Sequence, residues 1–306
     1  MKITTKQYQS LTDQQLIWDL MVSCYQPLCT NGVAAPFFEY AITASWMDTR
    51  FLYLNRIWMD GEKAVGFVFY ENPVSSIFFH LLPGYECLAE EMMDYAIQHM
   101  PGKDAKELNL FPGQKALIEA AERRGWQLQY TSQDMLFDFQ QGVLDYPLPE
   151  GFHFVEPLDI DPVKLARCTW KGFDHEDKGP FINWDEEDPG TPWNPQKAYL
   201  DVISSLMAPP PHATFDRIVV IADAQGEYAC YSGMWWVPEN CLAYMEPLCT
   251  IPKHRHKGLA AAALSRHYRN LSPLGAQYMT GGEDPFYQKI GYTKAIQWLH
   301  YKKAAK

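Results

Sequence analysis

Several features that would assign this chain to a class are missing, and each absence narrows what it can be. Its seven cysteines (Cys24, Cys29, Cys87, Cys168, Cys230, Cys241 and Cys249) contain no C-x-x-C pair, and their number is odd. A disulfide framework is not expected in a chain of 306 residues, and the spacing fits no zinc site. Small buried hydrophobes in a reducing compartment are the expectation. No apolar run approaches the roughly 18 residues of a membrane span. Residues 1–20 hold no apolar h-region, so no secretory signal is expected and the cytoplasm is the expected compartment. Positive charge is scarce: 26 Lys and Arg stand against 37 Asp and Glu, a formal net charge of −11. That balance argues against nucleic acid, which needs a basic face, and against an anionic membrane surface. Neither phosphate-binding fingerprint, G-x-x-x-x-G-K-[ST] or G-x-G-x-x-G, occurs.

What is present is ordinary globular material. Apolar residues make up 47% and charged residues 21%, enough to bury a core in each of the two domains that this length favours. In the second half, residues 217–223, 228–237 and 241–250 read as strands separated by turns at Gly226 and Pro238. Residues 259–268 read as a helix, 276–280 as a short strand, 285–290 as a short helix ended by Gly291, and 295–301 as a closing strand. The first half repeats this order: strands at 51–59, 64–70 and 76–82, a helix at 85–100, a strand at 107–111, a helix at 114–124 and a closing strand at 127–139. Gly61 to Pro83 spans 22 residues and Gly226 to Pro252 spans 26; Pro83 to Gly125 spans 42 and Pro252 to Gly291 spans 39. Order and spacing point to one unit used twice, residues 1–145 and 150–306, joined at the proline-bearing 143–151.

Chemistry concentrates at residues 245–260, which read strand, basic loop, helix. Lys253, Arg255 and Lys257 place three positive charges in five residues, with His254 and His256 between them. Gly258 admits close backbone approach, and the helix that follows offers unpaired N–H groups and the positive end of its dipole. Together these make an anion site suited to phosphate or pyrophosphate. His254 and His256 lack a third ligand at zinc spacing, so no metal is expected.

This run resembles motif A of the GNAT acyl-CoA N-acyltransferases, [RQ]-x-x-G-x-[GA], in the form Arg255-His256-Lys257-Gly258-Leu259-Ala260. Residues 286–292, FYQKIGY, resemble the family's late F-Y-x-x-x-G-[FY] motif. The resemblance covers about residues 151–306 and reaches the first half only through element order. It implies an α/β (α+β) fold of two GNAT-like units, each a mixed, mostly antiparallel sheet flanked by helices, with the fourth and fifth strands splayed around pantetheine. It further implies that acetyl-CoA is the co-substrate. The backbone of Leu248, Cys249 and Thr250 would pair with pantetheine, and the N–H groups of Arg255, His256, Lys257, Gly258, Leu259 and Ala260 would take the pyrophosphate. Glu246, on the same strand face as Leu248 and Thr250, becomes the candidate general base, with a structural glutamate as the alternative. Tyr287 becomes the candidate acid for the departing thiolate, with an aromatic core residue as the alternative. Two departures stand out: Gly281-Gly282-Glu283-Asp284 replaces a common asparagine, and residues 82–88 of the first half lack the loop motif and carry Glu86, so no anion site is expected there.

The expected acceptor is a primary amine of a small molecule or peptide. Asp174, His175 and Trp235 are its candidate contacts, the first two opening an acidic, tryptophan-bearing stretch at 174–197. A homodimer is left open, as is a catalytically silent acyl-CoA-binding regulatory protein.

Overall fold

In this computed structural model, residues 2–44, 46–178, 211–212 and 215–304 are described. The chain divides into two compact units, Met1–Ile42, Trp46–Met135 and Lys294–Lys306 forming the first, and Thr43–Ser45 with Leu136–Thr293 the second. Among the described residues no helix is long and apolar enough to cross a membrane.

The first unit runs β1 (Ile3–Gln7), α1 (Ser10–Cys24), α2 (Ala35–Thr43), β2 (Arg56–Asp60), β3 (Lys63–Glu71), β4 (Ser76–Leu81), α3 (Ala89–His99), β5 (Glu107–Leu110), α4 (Lys115–Arg123) and β6 (Trp126–Asp138). Strands β1 to β4 form an antiparallel meander and β4 then pairs in parallel with β5. Gly61, at φ 62°, turns the tight hairpin between Asp60 and Lys63. Strand β3 is buried on both faces, and a Cβ on its Gly66 would lie 2.9 Å from the Met92 sulfur, so glycine lets α3 sit directly on the sheet. Phe38, Phe67, Phe69 and Phe78 interlock at centroid distances of 4.9–5.2 Å to fill the other side.

The second unit repeats the plan with β7 (Phe152–Val155), α5 (Pro162–Gly172), β8 (Val219–Asp223), β9 (Tyr228–Val237), β10 (Leu242–Thr250), α6 (Leu259–Leu271), β11 (Tyr278–Thr280) and α7 (Pro285–Lys289). Strands β7 to β10 are antiparallel, β10 and β11 are parallel, and β11 pairs antiparallel with the last residues of β6, Leu136–Asp138. Ala262, Ala263 and Leu259 of α6 pack on Val219, Ile221 and Ala229, and the small side chains bring the helix close to β8 and β9.

Three elements differ from the sequence reading. The stretch read as the start of a strand at 51–59 is a 3-10 turn, Thr49–Leu54, opened by Asp48, whose side chain accepts from the Arg50 amide at 3.2 Å. The helix read from Tyr85 starts at Ala89, because Glu86–Leu88 form a separate 3-10 turn. The closing strand β12 (Lys294–Lys303), read as part of the second unit, pairs with β5 in the first, Leu299 opposite Leu110 and Tyr301 opposite Leu108.

Each unit buries a neutral histidine. His80 bonds the Val33 carbonyl at 2.9 Å, and His267 of α6 bonds Ser232 at 3.0 Å. Burial pushes the imidazoles down to about 4 and about 3, from 6.5. Below pH 6.5 the unfolded chain takes up these protons and the folded chain does not, so stability present above 6.5 is lost as pH falls. Between pH 7.5 and pH 5.0 urea unfolding should show a loss of about 2 kcal/mol per histidine. His267→Gln, which keeps a partner for Ser232, should reduce that loss by one histidine's share; an unchanged loss would contradict the assignment.

Candidate active site

The second unit opens where β10 leaves β11. Their pairing covers Leu242–Tyr278 and Ala243–Met279, and the last tie is the Met245 amide donating to the Thr280 hydroxyl at 2.7 Å. On its other side β10 bulges between Met245 and Leu248 against β9. Gly233 of β9 makes that bulge fit, since a Cβ there would lie 2.1 Å from the Glu246 carbonyl oxygen. Along this part of β10 Glu246, Leu248 and Thr250 are half-buried and Met245 and Cys249 buried.

Strand β10 runs into a 3-10 turn, Pro252–His254, and then a loop in which His256 (φ 61°) and Gly258 (φ 88°) are left-handed. Helix α6 follows with no side-chain cap. Among the described residues, no acceptor is found for the backbone N–H groups of residues 256–261; the first amide of the helix to be satisfied is Ala262, on the Gly258 carbonyl. Of these residues His256, Gly258, Leu259 and Ala260 border a cavity of about 590 Å³, lined also by residues 248–250, His254, Arg255, Gly172, Asp174, Asp284, Phe286 and Tyr287.

The loop cations do not face the cavity as free charges. Arg255 donates to the carbonyls of Thr250 (3.1 Å) and Gly172 (3.0 Å) and to Asp174 (2.8 Å), fastening the end of β10 to the end of α5. Lys253 pairs with Glu227 at 3.3 Å and Asp223 at 3.6 Å, and Lys257 donates to His254 Nδ1 at 2.9 Å. Arg255 and Lys253 are thus each paired with a carboxylate, Lys257 is held by an imidazole, and the donors left over in the loop are its backbone amides and the start of the helix. Asp223, Glu227 and His254 bring ligand atoms within 4.8 Å of one another, but Lys253 reaches both carboxylates and Lys171 reaches Glu227 at 3.0 Å, so that cluster's charge is already compensated.

Tyr287 is 8% exposed and forms one wall of the cavity. Asp284 caps its helix, accepting from the Phe286 amide at 2.7 Å. A Cβ on Gly281 would lie 2.6 Å from the Tyr287 ring, so a residue larger than glycine does not fit at 281 without moving the ring.

Of the residues singled out in the sequence, Leu248, Cys249, Thr250, Arg255, His256, Gly258, Leu259, Ala260, Tyr287 and Asp174 line this cavity. Lys257, Glu246, His175 and Trp235 are not among its lining residues. Trp235 is 2% exposed with its edge toward Tyr244, and His175 stands edge-on to Trp170 at 5.5 Å. Asp174 is engaged by Arg255. Cys249 lies under Gly172, whose Cβ would come within 2.6 Å of its sulfur, a packing contact. Residues 179–197, the greater part of the acidic stretch, lie outside the described residues. Gly172, His254, Asp284 and Phe286 also line the cavity and were not singled out as site residues; His254 reads as part of a basic run.

The corresponding place in the first unit is filled by its own chain. Past the β4–β5 pairing, the Phe79 carbonyl accepts from Gln114 at 2.8 Å and the Leu81 carbonyl from Asn31 at 3.4 Å, while the Gly113 amide donates to Thr30 at 2.7 Å. Glu86 accepts from the Gly84 amide at 2.9 Å, and hydrogen bonds from backbone amides hold its carboxyl below the ordinary range.

No family model matches the sequence, and no curated protein matches it by sequence. Solved structures do match in fold. A GNAT-family acetyltransferase from Colwellia psychrerythraea superimposes with a TM-score of 0.58 at 10% identity over 98% of both chains. A tandem GNAT protein from the clavulanic acid biosynthesis pathway gives 0.54 at 11% identity over 100% of both. The C-terminal domain of a protein named as a lysylphosphatidylglycerol synthetase, from Agrobacterium fabrum, gives 0.57 at 11% identity over 97% of this chain and 93% of that one. The chain has the GNAT fold.

Gly281→Ala should force the Tyr287 ring aside and destabilise the protein by about 1–3 kcal/mol, read by urea unfolding. A variant as stable as the parent would contradict the close packing of Gly281 on Tyr287.

Proposed function

We propose that the protein is a GNAT-type acyltransferase whose second unit binds acetyl-CoA and passes the acetyl group to a primary amine of a small molecule or peptide. The observation that carries this reading is the row of amides at residues 256–261, without acceptors among the described residues, of which His256, Gly258, Leu259 and Ala260 border a cavity that continues to the splayed edge of β10 and to Tyr287. Such a row suits a pyrophosphate, and the edge of β10 at residues 248–250 suits an amide-bearing arm.

The residues then divide the work. Residues 256–260 hold the co-substrate by its phosphates, and β10 aligns the thioester. Glu246, half-buried in the bulge of β10, takes a proton from the acceptor ammonium through water, freeing the amine to attack. Holding amine and thioester together makes the attack effectively intramolecular, and backbone N–H groups of the strand stabilise the oxyanion. The Tyr287 hydroxyl gives a proton to the departing thiolate, and the proton that the attacking nitrogen sheds as the amide forms restores the phenol through water. No acyl-enzyme is required.

A catalytically silent acyl-CoA-binding protein is the second reading, favoured by one observation: Glu246 is not among the cavity-lining residues. Calorimetry with coenzyme A and a thiol-release assay over a panel of amines separate the two. The enzyme reading expects saturable binding and turnover. It also expects Tyr287→Phe to lower kcat by about a hundredfold with coenzyme A affinity within about twofold of the parent. Binding without turnover of any amine supports the silent reading, and absence of saturable binding overturns both.

A further inference from the structure

Behind the amide-lined loop lies a chain of three side chains that the proposed chemistry does not use. Asp223 ends β8 and is 3% exposed. Its Oδ1 accepts from the backbone amides of Gln225 and Glu227, both at 3.0 Å, which fixes the carboxylate in the hairpin turn. Its Oδ2 faces His254 Nε2 at 3.1 Å. His254, 5% exposed, lies edge-on to Phe152 at 5.1 Å, and its Nδ1 is 2.9 Å from the Lys257 ammonium, which stands 5.8 Å over the same Phe152 ring.

Chemistry decides the protons. A carboxylate only accepts and an ammonium only donates, so Nε2 carries the hydrogen, Nδ1 is bare and the imidazole is neutral. Lys257 lies between His256 and Gly258, the two left-handed residues of the loop. Holding its side chain restrains the segment whose amides face the cavity.

We infer that Asp223 and His254 are positioning residues that hold the amide-lined loop in its binding conformation through the side chain of Lys257. The inference rests on the coenzyme A reading above. It carries a specific consequence. In Asp223→Asn the turn amides keep the carboxamide oxygen in place of Oδ1, so the NH₂ group meets His254 Nε2–H. Two donors then oppose each other. The imidazole moves its proton to Nδ1, which opposes the Lys257 ammonium and releases it. Asp223→Asn and Lys257→Met therefore damage the loop by one route.

The test is a double-mutant cycle on the full chain, with coenzyme A affinity read by calorimetry. Asp223→Asn and Lys257→Met should each weaken binding about tenfold, and the double variant should lose no more than either alone. For Asp223→Asn, acetyl transfer at saturating acetyl-CoA should stay within about twofold of the parent, because Asp223 does not border the cavity. Glu227→Gln, which touches Lys253 and Lys171 but not His254, should change affinity less than about twofold. A double variant weakened about a hundredfold, or a Lys257→Met that binds like the parent, overturns the inference. Nitrogen NMR of the histidine ring adds a readout that needs no ligand: the parent should show the Nε2–H form and Asp223→Asn the Nδ1–H form. An Nδ1–H ring in the parent overturns the inference, including where Asp223→Asn does not fold. If the parent fails to bind coenzyme A, the functional reading fails, while the ring tautomer still decides whether the Asp223–His254–Lys257 chain exists.

Discussion

A helix that begins without a side-chain cap leaves its first N–H groups to be satisfied from elsewhere, and at Leu259 this constraint organises the second unit. The loop that precedes it turns through left-handed backbone at His256 and Gly258, which aims consecutive amides to one side instead of pairing them with carbonyls. Arg255 pins the start of that loop to β10 and α5, and the alanine-rich face of α6 seats the helix on β8 and β9. The parting of β10 from β11 supplies the space beside it. Each element has its own local reason, and together they leave a cluster of donors at residues 256–261 without acceptors among the described residues.

The first unit solves the same problem internally. Its fold has the same parallel pair, β4 and β5, in the same place. There Gln114 and Asn31 donate to the carbonyls along the outer edge of β4, and the Glu86 carboxylate occupies the loop amides. The two units thus share architecture and differ in whether their donors and acceptors are closed by the protein or left for a ligand, a difference carried by a handful of polar side chains.

Much of this was legible in the sequence because it is local. Strand β9 was read at its observed limits, 228–237, from its apolar run between turns, and the start of α6 from Gly258 followed by an alanine-rich segment. Five of the loop residues that line the cavity, Arg255, His256, Gly258, Leu259 and Ala260, followed from the motif. What was not legible depends on pairing across long stretches of chain. The closing strand β12 has the same alternating pattern whichever sheet receives it, so its place beside β5 could not be read from spacing. The loop charges looked available because their partners are remote: Asp174 is 81 residues from Arg255 and Asp223 is 31 from His254. Asp174 and Trp235 were chosen as acceptor contacts for charge and aromaticity, and the structure gives one to Arg255 and buries the other.

The central claim is that ligand-seeking donors are concentrated at the start of α6 and closed off in the first unit. Amide hydrogen exchange of the full chain, followed by mass spectrometry with and without coenzyme A, tests it most directly. The expected result is slowed exchange at residues 256–261 and 248–250 with no change at residues 82–88. Unchanged exchange at 256–261, or protection at 82–88, would contradict it.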